Sequence, residues 1–446
     1  MTEDRTAPAG RLRALRSAAA GPVRRLLNSR GRWLATGSAP SRGIAFAGTI
    51  WAGGAAEPMP GVLVVDGAGR VTQLLTEVAG SPPVLPADLP VLGGPEYWVV
   101  PGLVDAHVHL GFDPSARPDP YGRFAVTGEQ TGLVGVRDLG APLAWASQWR
   151  TGHRPARPGL PFVAVSGPIL TAAGGYPTRS WGADGYAEFV SSPAQARWVV
   201  QRLATSGVDL IKVALEPGSV GWPVPQPRVL RAIVDAAHGA GLPVIVHALT
   251  ADLVGRAIEA GVDELAHTPT ERLSPEMIER IASSGLTVTS TLQTFFADGS
   301  GREAAANAAD LVAAGVRLRY GTDLGNTGTR PGVDPRELDR LAATGLGRLG
   351  ALRAATEWSA TAPGMRRRTG RLVIGEQAAL VLLPSSPLVE PGVWRTPSAI
   401  FVDGRLTVGA NGSVPNGSVP NGSVPNGSVP NGSVPNKLRP NEGSPR

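Results

Sequence analysis

The chain has 446 residues, 42 Lys plus Arg against 36 Asp plus Glu, six His and no Cys. The missing cysteine excludes a disulfide framework, a thiolate zinc site and a cysteine nucleophile, while 42% hydrophobic residues are enough for a real core. The formal charge of +6 resides in the tails. Nine arginines against Glu3 and Asp4 put about +7 on residues 1–42, and residues 411–446 carry about +2, which leaves about −3 on the body. A nucleic-acid-binding body is therefore not implied, and no nucleic-acid partner is expected.

In chain order, residues 1–42 read as a basic, solvated arm. Arg24 and Arg25 imitate an export signal, but Arg30, Arg32 and Arg42 interrupt the apolar run that such a signal needs. No uncharged apolar run approaches the roughly 20 residues of a membrane span, so a cytoplasmic protein without a span is expected. Short β-type runs follow at 44–51, 61–66 and 71–75, and again at 379–383, 398–403 and 405–408. Neither flank has strands enough for a stable sheet alone, so residues 43–98 and 370–410 are expected to pair as one small β-sandwich.

Between them, residues 99–369 alternate strand and helix. Apolar strand runs fall at 103–108, 134–137, 162–165, 210–214, 244–246, 264–266, 288–292 and 318–320, with helical patterns at 228–240, 250–260 and 275–283. Such alternation means parallel βαβ units, and eight of them fit an α/β fold of the (β/α)₈ TIM-barrel type. Residues 411–435 are five copies of Asn-Gly-Ser-Val-Pro. Proline at every fifth position blocks helix and ladder alike, so 411–446 reads as a low-complexity tail, and its formal glycosylation triplets are expected to be empty.

The chemistry lies at the ends of the barrel strands. Val100-Pro-Gly-Leu-Val-Asp-Ala-His107-Val-His109 puts two imidazoles two residues apart, hence on one face of a strand. Lys212 follows Leu210-Ile211 in the fourth run, His247 ends the fifth, His267 ends the sixth and Asp323 follows the eighth. The C-terminal ends of barrel strands are where catalytic groups sit. Asp105 shares the face of His107 and is either a supporting residue or strand-end packing. His153 reads as surface, and His238 as an exposed or cap-region histidine of a helix.

This constellation resembles the amidohydrolase superfamily over about residues 43–409. The phrases Val136-Arg-Asp-Leu-Gly140, Ser166-Gly-Pro-Ile-Leu170, Gly174-Gly175 and Ala260-Gly-Val-Asp-Glu-Leu-Ala-His267 resemble its imidazolonepropionase-like and Xaa-Pro dipeptidase-like branch. The resemblance implies two divalent metal ions, zinc by preference, sharing a hydroxide that attacks a carbonyl. His107, His109 and Asp323 would hold one ion, His247 and His267 the other, and Lys212, carboxylated by CO₂ to a carbamate, would bridge them. Asp323 would move the proton to the leaving nitrogen, with His267 counted beside it as catalytic. The lysine has a physical logic of its own. Carbamate formation needs a neutral amine, which lysine provides and arginine does not, and the body's basic residues are otherwise arginine.

The implied activity is hydrolysis of a C–N bond in an amide, cyclic amide or dipeptide-like substrate. An ester or lactone hydrolase, a deaminase, and an inactive metal-binding paralogue are the alternatives. Deamination is disfavoured because the bridging lysine implies two metals. Tyr176 stands where branch members often carry His, and the stretch after Lys212 is unusually proline-rich. Tyr176, Arg179, Trp181, Trp222, Phe295 and Phe296 follow barrel strands and are candidate substrate contacts, with Arg179 a grip for a carboxylate.

Overall fold

The computed structural model describes residues 37–38, 43–76, 85–86, 89–112, 132–149, 161–178, 182–218, 221–326, 328–365, 370–402 and 405–406. The chain divides into Met1–Val414 and Pro415–Arg446, and the second unit, like the basic arm up to residue 36 and the five repeats, lies outside the described residues.

The leading flank supplies β1 (Gly37–Ser38), β2 (Ile44–Ile50), β3 (Met59–Val65), β4 (Val71–Thr76) and β5 (Val91–Pro101). The middle supplies β6 (Leu103–Val108), β7 (Leu133–Asp138), β8 (Phe162–Val165), β9 (Ile169–Thr171), β10 (Ala187–Phe189), β11 (Ile211–Leu215), β12 (Val244–Ala248), β13 (Glu264–Leu265), β14 (Thr287–Thr289) and β15 (Leu318–Arg319). The trailing flank supplies β16 (Leu380–Leu383), β17 (Ala399–Val402) and β18 (Arg405–Leu406).

The two flanks form one eight-stranded sheet in the order β1-β18-β17-β16-β5-β2-β3-β4. The trailing flank joins the leading one through β16, antiparallel to β5. β17 and β2 are three positions apart in this order, about 14 Å in a flat sheet. Yet the rings of Phe46 on β2 and Phe401 on β17 meet edge to face with centroids 5.9 Å apart, so the sheet curls over a shared core of Ile44, Leu63, Val65, Val99 and Leu380. β5 passes directly into β6 through Gly102. A Cβ at Gly102 would lie 2.1 Å from Val134 Cγ1, so the junction needs glycine.

The middle is a TIM-barrel-like α/β fold. β6, β7 and β8 form one parallel sheet, and β10-β9-β11-β12-β13-β14-β15 form another. β6, β7 and β11 are buried at every residue, as strands covered on both faces must be. Backbone hydrogen bonds link the two sheets at both margins. Asp209 N–H, just before β11, donates to the Val165 carbonyl at the end of β8 (2.9 Å), and Ala106 N–H on β6 donates to the Tyr320 carbonyl after β15 (3.0 Å). The covering helices start where their sequences stop them fraying. Ser192 caps Pro193–Thr205 and Ser274 caps Pro275–Ser284, each followed by proline in the first turn. No helix among the described residues is long and apolar enough to cross a membrane.

Charge fills part of the interior. Glu264 on β13 bonds the Arg137 guanidinium from β7, Arg319 Nη1 from β15 at 3.1 Å and Thr289 Oγ1 from β14 at 2.7 Å. β7 and β13 belong to different sheets, so these side chains meet across the interior. Arg137 also donates to the carbonyls of Ala106 (2.7 Å) and Pro363 (2.8 Å). Burial opposes the Glu264 charge, but the two guanidiniums outweigh it and hold the carboxyl below its ordinary range. Removing one partner of such a buried cluster leaves an uncompensated charge. Glu264→Ala is therefore expected to lower stability by about 3–5 kcal/mol in chemical denaturation, and a loss below about 1 kcal/mol, the scale of an exposed pair, would mean that water already screens the arginines.

Candidate metal centre and active site

β6 delivers His107 and His109 to its C-terminal end, and the turn after β15 delivers Asp323 opposite them. Asp323 Oδ1 lies 3.1 Å from His107 Nε2 and 3.4 Å from His109 Nε2, and the two Nε2 atoms are 3.3 Å apart. All three residues are buried and offer ligand atoms within 4.8 Å of one another. Asp323 reaches this point from a left-handed backbone, φ 54°, which few residues other than glycine adopt without cost. Gly321 lets the turn come close, since a Cβ there would lie 3.0 Å from His107 Cβ and 2.3 Å from Thr289 Cγ2.

The tautomers follow from the outer partners. His107 Nδ1 is 2.9 Å from the Ala266 carbonyl and His109 Nδ1 is 3.4 Å from the Gly140 carbonyl. A carbonyl can only accept, so each Nδ1 carries the proton and each Nε2 points a lone pair inward. Burial, and then the nearby Lys212, hold His107 well below its ordinary pKa, so it is neutral. Burial also works against the charge of Asp323, but His107 and its fellow imidazoles hold the carboxyl well below its usual range. Two imidazole lone pairs and a carboxylate oxygen thus crowd one point without a proton between them. A divalent cation resolves that crowding, and the donor set of two nitrogens and one oxygen suits zinc, manganese or iron.

Asp105 builds the support for this group. Its Oδ1 accepts from the N–H of His107 and of Thr322, both at 3.1 Å, and its Oδ2 from Thr322 Oγ1 at 2.6 Å. These bonds are the kind that a supporting residue makes, one of the two roles left open by the sequence, and burial lifts its pKa to about 7. Asp138 does the same beyond His109, accepting from the N–H groups of Leu110 (2.8 Å) and Gly140 (3.1 Å).

His247 on β12 and His267 after β13 lie beside the first group. The ring centroids of His107 and His267 are 4.6 Å apart, and those of His247 and His267 are 4.7 Å apart. His267 Nδ1 meets Thr291 Oγ1 at 2.9 Å, and burial drives the ring well below its ordinary pKa. Thr291 is itself left-handed, φ 47°. Thr291 and Asp323 are the two non-glycine residues with positive φ among the described ones, and both touch the centre. Lys212 on β11 is 2% exposed, and burial brings its amine down to about 7 against the pull of Asp323.

Of the proposed substrate contacts, Tyr176 stacks on Trp222 with centroids 5.6 Å apart and lies 5.8 Å from His247. Phe295 stands edge-on to His267 at 5.6 Å, whereas Phe296 carries the Arg340 guanidinium over its ring. Arg179, Trp181 and His153 lie outside the described residues. His238 pairs with Asp263 on the surface at 2.9 Å, as an exposed helix residue should. The sequence reading missed Glu216, Thr291 and Asp138. For Glu216 a signal existed, because Lys212, Ala214 and Glu216 are spaced by two and share one face of the strand and its extension.

A family model described as the amidohydrolase family matches residues 164–407, more than half of the chain, and takes in Lys212, His247, His267 and Asp323. The chain belongs to the amidohydrolase family, which classes it as a hydrolase acting on carbon–nitrogen bonds. An uncharacterized protein of Mycobacterium tuberculosis is 29% identical over 350 residues, 72% of this chain and 88% of that protein. Among solved structures, a Xaa-Pro dipeptidase with bound methionine in its active site aligns with TM-score 0.69 and 21% identity, covering 82% of this chain and 99% of that one. The ochratoxinase of A. niger aligns with TM-score 0.67 and 20% identity, over 82% and 96%. At these identities the structural likenesses speak for the fold.

The Asp105 bonds lead to an expectation about metal affinity. Asp105→Ala frees the backbone of both His107 and Thr322, so titration of metal-stripped protein should show about 10–100-fold weaker binding. Unchanged affinity would reduce Asp105 to strand packing.

Proposed function

We propose that this chain hydrolyses a carbon–nitrogen bond of a small molecule, an amide, cyclic amide or dipeptide-like compound, at a binuclear centre on a closed (β/α)₈ barrel. His107, His109 and Asp323 would hold one divalent cation, zinc by preference, His247 and His267 the other, and a carbamate on Lys212 both. The observation that carries this reading is the crowding of His107 Nε2, His109 Nε2 and Asp323 Oδ1 within 3.1–3.4 Å. Bound cations supply an acidified water at neutral pH and a Lewis acid for the scissile carbonyl.

The chain's own groups do the rest. Asp323, ionised in its buried setting, accepts the proton of the attacking water and passes it to the leaving nitrogen. His267 would act beside it, through the cation that it would hold. Lys212, with a pKa of about 7, is neutral often enough to add CO₂, and an arginine there would stay protonated. Tyr176 and Trp222 form one wall of the substrate pocket, and Arg179 and Trp181 are proposed to complete it, Arg179 as the carboxylate grip.

In this reading the barrel spans residues 99–369 between a basic arm (1–42) and a repeat tail (411–446). Closure is supported by the bonds from β6 to the segment after β15, among them Asp323 N–H to the His107 carbonyl at 2.9 Å. Residues 43–98 with 370–410 form the β-sandwich, and the Phe46–Phe401 contact supports that folding-over of the flank sheet.

Metal analysis and carbon labelling test the centre. The protein should hold two metal equivalents, and ¹³C-bicarbonate should give a lysine carbamate resonance that Lys212→Arg lacks. One equivalent without the resonance would remove the binuclear reading. A panel of N-acyl amino acids, dipeptides, hydantoins and lactones tests the bond. Cleavage confined to lactones would sink the C–N assignment, and Asp323→Ala should lower kcat on the best substrate by about 10²–10⁴-fold.

A further inference from the structure

Three of the site histidines are oriented alike. His107, His109 and His267 each engage an outer partner through Nδ1, namely the carbonyls of Ala266 and Gly140 and the hydroxyl of Thr291. His247 is turned the other way, with Nε2 3.0 Å from Glu216 Oε2. Its partner is also different in kind, a carboxylate. Glu216 Oε1 also accepts from the Gly218 N–H, and a glutamate side chain, with an ordinary pKa of about 4.3, is an anion at neutral pH.

Local geometry accounts for the meeting. The β11–β12 register sets Ala214 opposite His247, and Glu216, two residues on, lies on the same face of the extended chain. The segment that carries it is pinned. Glu216 Oε1 accepts from Gly218 N–H, Trp222 N–H donates to the Pro217 carbonyl at 2.6 Å, and Trp222 stacks on Tyr176. The pair sits at the open margin of the centre. The His247 and Glu216 side chains are 14% and 19% exposed, whereas His107 is fully buried.

We propose that Glu216 is a positioning residue that fixes the tautomer of His247 and thereby selects the nitrogen this ring presents to the centre. An ionised carboxylate only accepts, so it holds the proton on Nε2 and leaves Nδ1 as the ring's lone pair. His247 then contributes Nδ1, while the other three histidines contribute Nε2. Glu216 also makes the ring a better donor, because a carboxylate partner raises ligand basicity. The inference rests on His247 being a ligand of the second cation, and the experiment separates the two claims.

Protein labelled with ¹⁵N-histidine, stripped of metal and held at about pH 8, where an unperturbed imidazole is neutral, reports the tautomer directly through ring ¹⁵N shifts. The His247 signals are identified by their loss in His247→Gln. The expected result is the Nε2–H form in the parent protein and a mixture of both forms in Glu216→Ala. In a Zn²⁺ titration, Glu216→Ala should weaken one equivalent by about 10–100-fold and leave the other unchanged. Glu216→Gln, which keeps a neutral acceptor, should recover most of that loss.

An Nδ1–H form in the parent protein, or an identical spectrum for Glu216→Ala, overturns the proposal. So does a raised KM with unchanged tautomer and zinc affinity, which would make Glu216 a substrate contact. Binding of a single zinc by the parent protein would defeat the binuclear reading, and the tautomer measurement would still decide the role of Glu216.

Discussion

The carboxylate of Asp105 holds the first barrel strand to the segment after the last. It accepts from the backbone of His107 on one side and from the backbone and hydroxyl of Thr322 on the other. The three clustered atoms of His107, His109 and Asp323 come from these same two segments, so one buried side chain ties the strands together and bears on the spacing of that cluster. A metal site assembled from distant parts of a chain requires such a fixed reference, because ligand positions must hold to a fraction of an ångström.

Beneath that reference lies a layer of buried charge. Arg137, Glu264 and Arg319 meet across the interior, and Lys212 stands within their electrostatic reach. Their neighbourhood bears on the lysine in opposite senses, Arg137 lowering its proton affinity and Glu264 and Asp323 raising it, while burial outweighs both. The same low dielectric that makes the arginines costly to strand is what leaves the Lys212 amine near neutrality.

Much of this was legible in the residues. Eight of the ten middle strands described lie where apolar runs and turn residues put them, because strands covered on both faces must be continuously apolar. The strand ends that carry His107, His109, His247, His267 and Asp323 follow from the same runs. The eleven-residue β5 was not legible, since Gly93, Gly94 and Pro95 break the pattern of a strand and pairing with β2 and β16 overrides local preference. β9 and β10 were missed because three-residue strands have no periodicity to read. The supporting groups were harder still. Thr291 has ordinary neighbours in sequence, and nothing in them announces a left-handed residue whose hydroxyl meets a histidine 24 positions away.

The curled flank sheet has a consequence for synthesis of the chain. β5 pairs with β2 on one edge and waits on the other for β16, whose Leu380 partners Pro101. At about 5–20 residues per second, the ribosome needs roughly 15–60 s to make the intervening barrel. Throughout that interval the edge of β5 presents unpaired backbone groups, the template on which strands of other chains add. The nascent polypeptide is therefore most exposed to edge-to-edge misassembly before its last strands emerge.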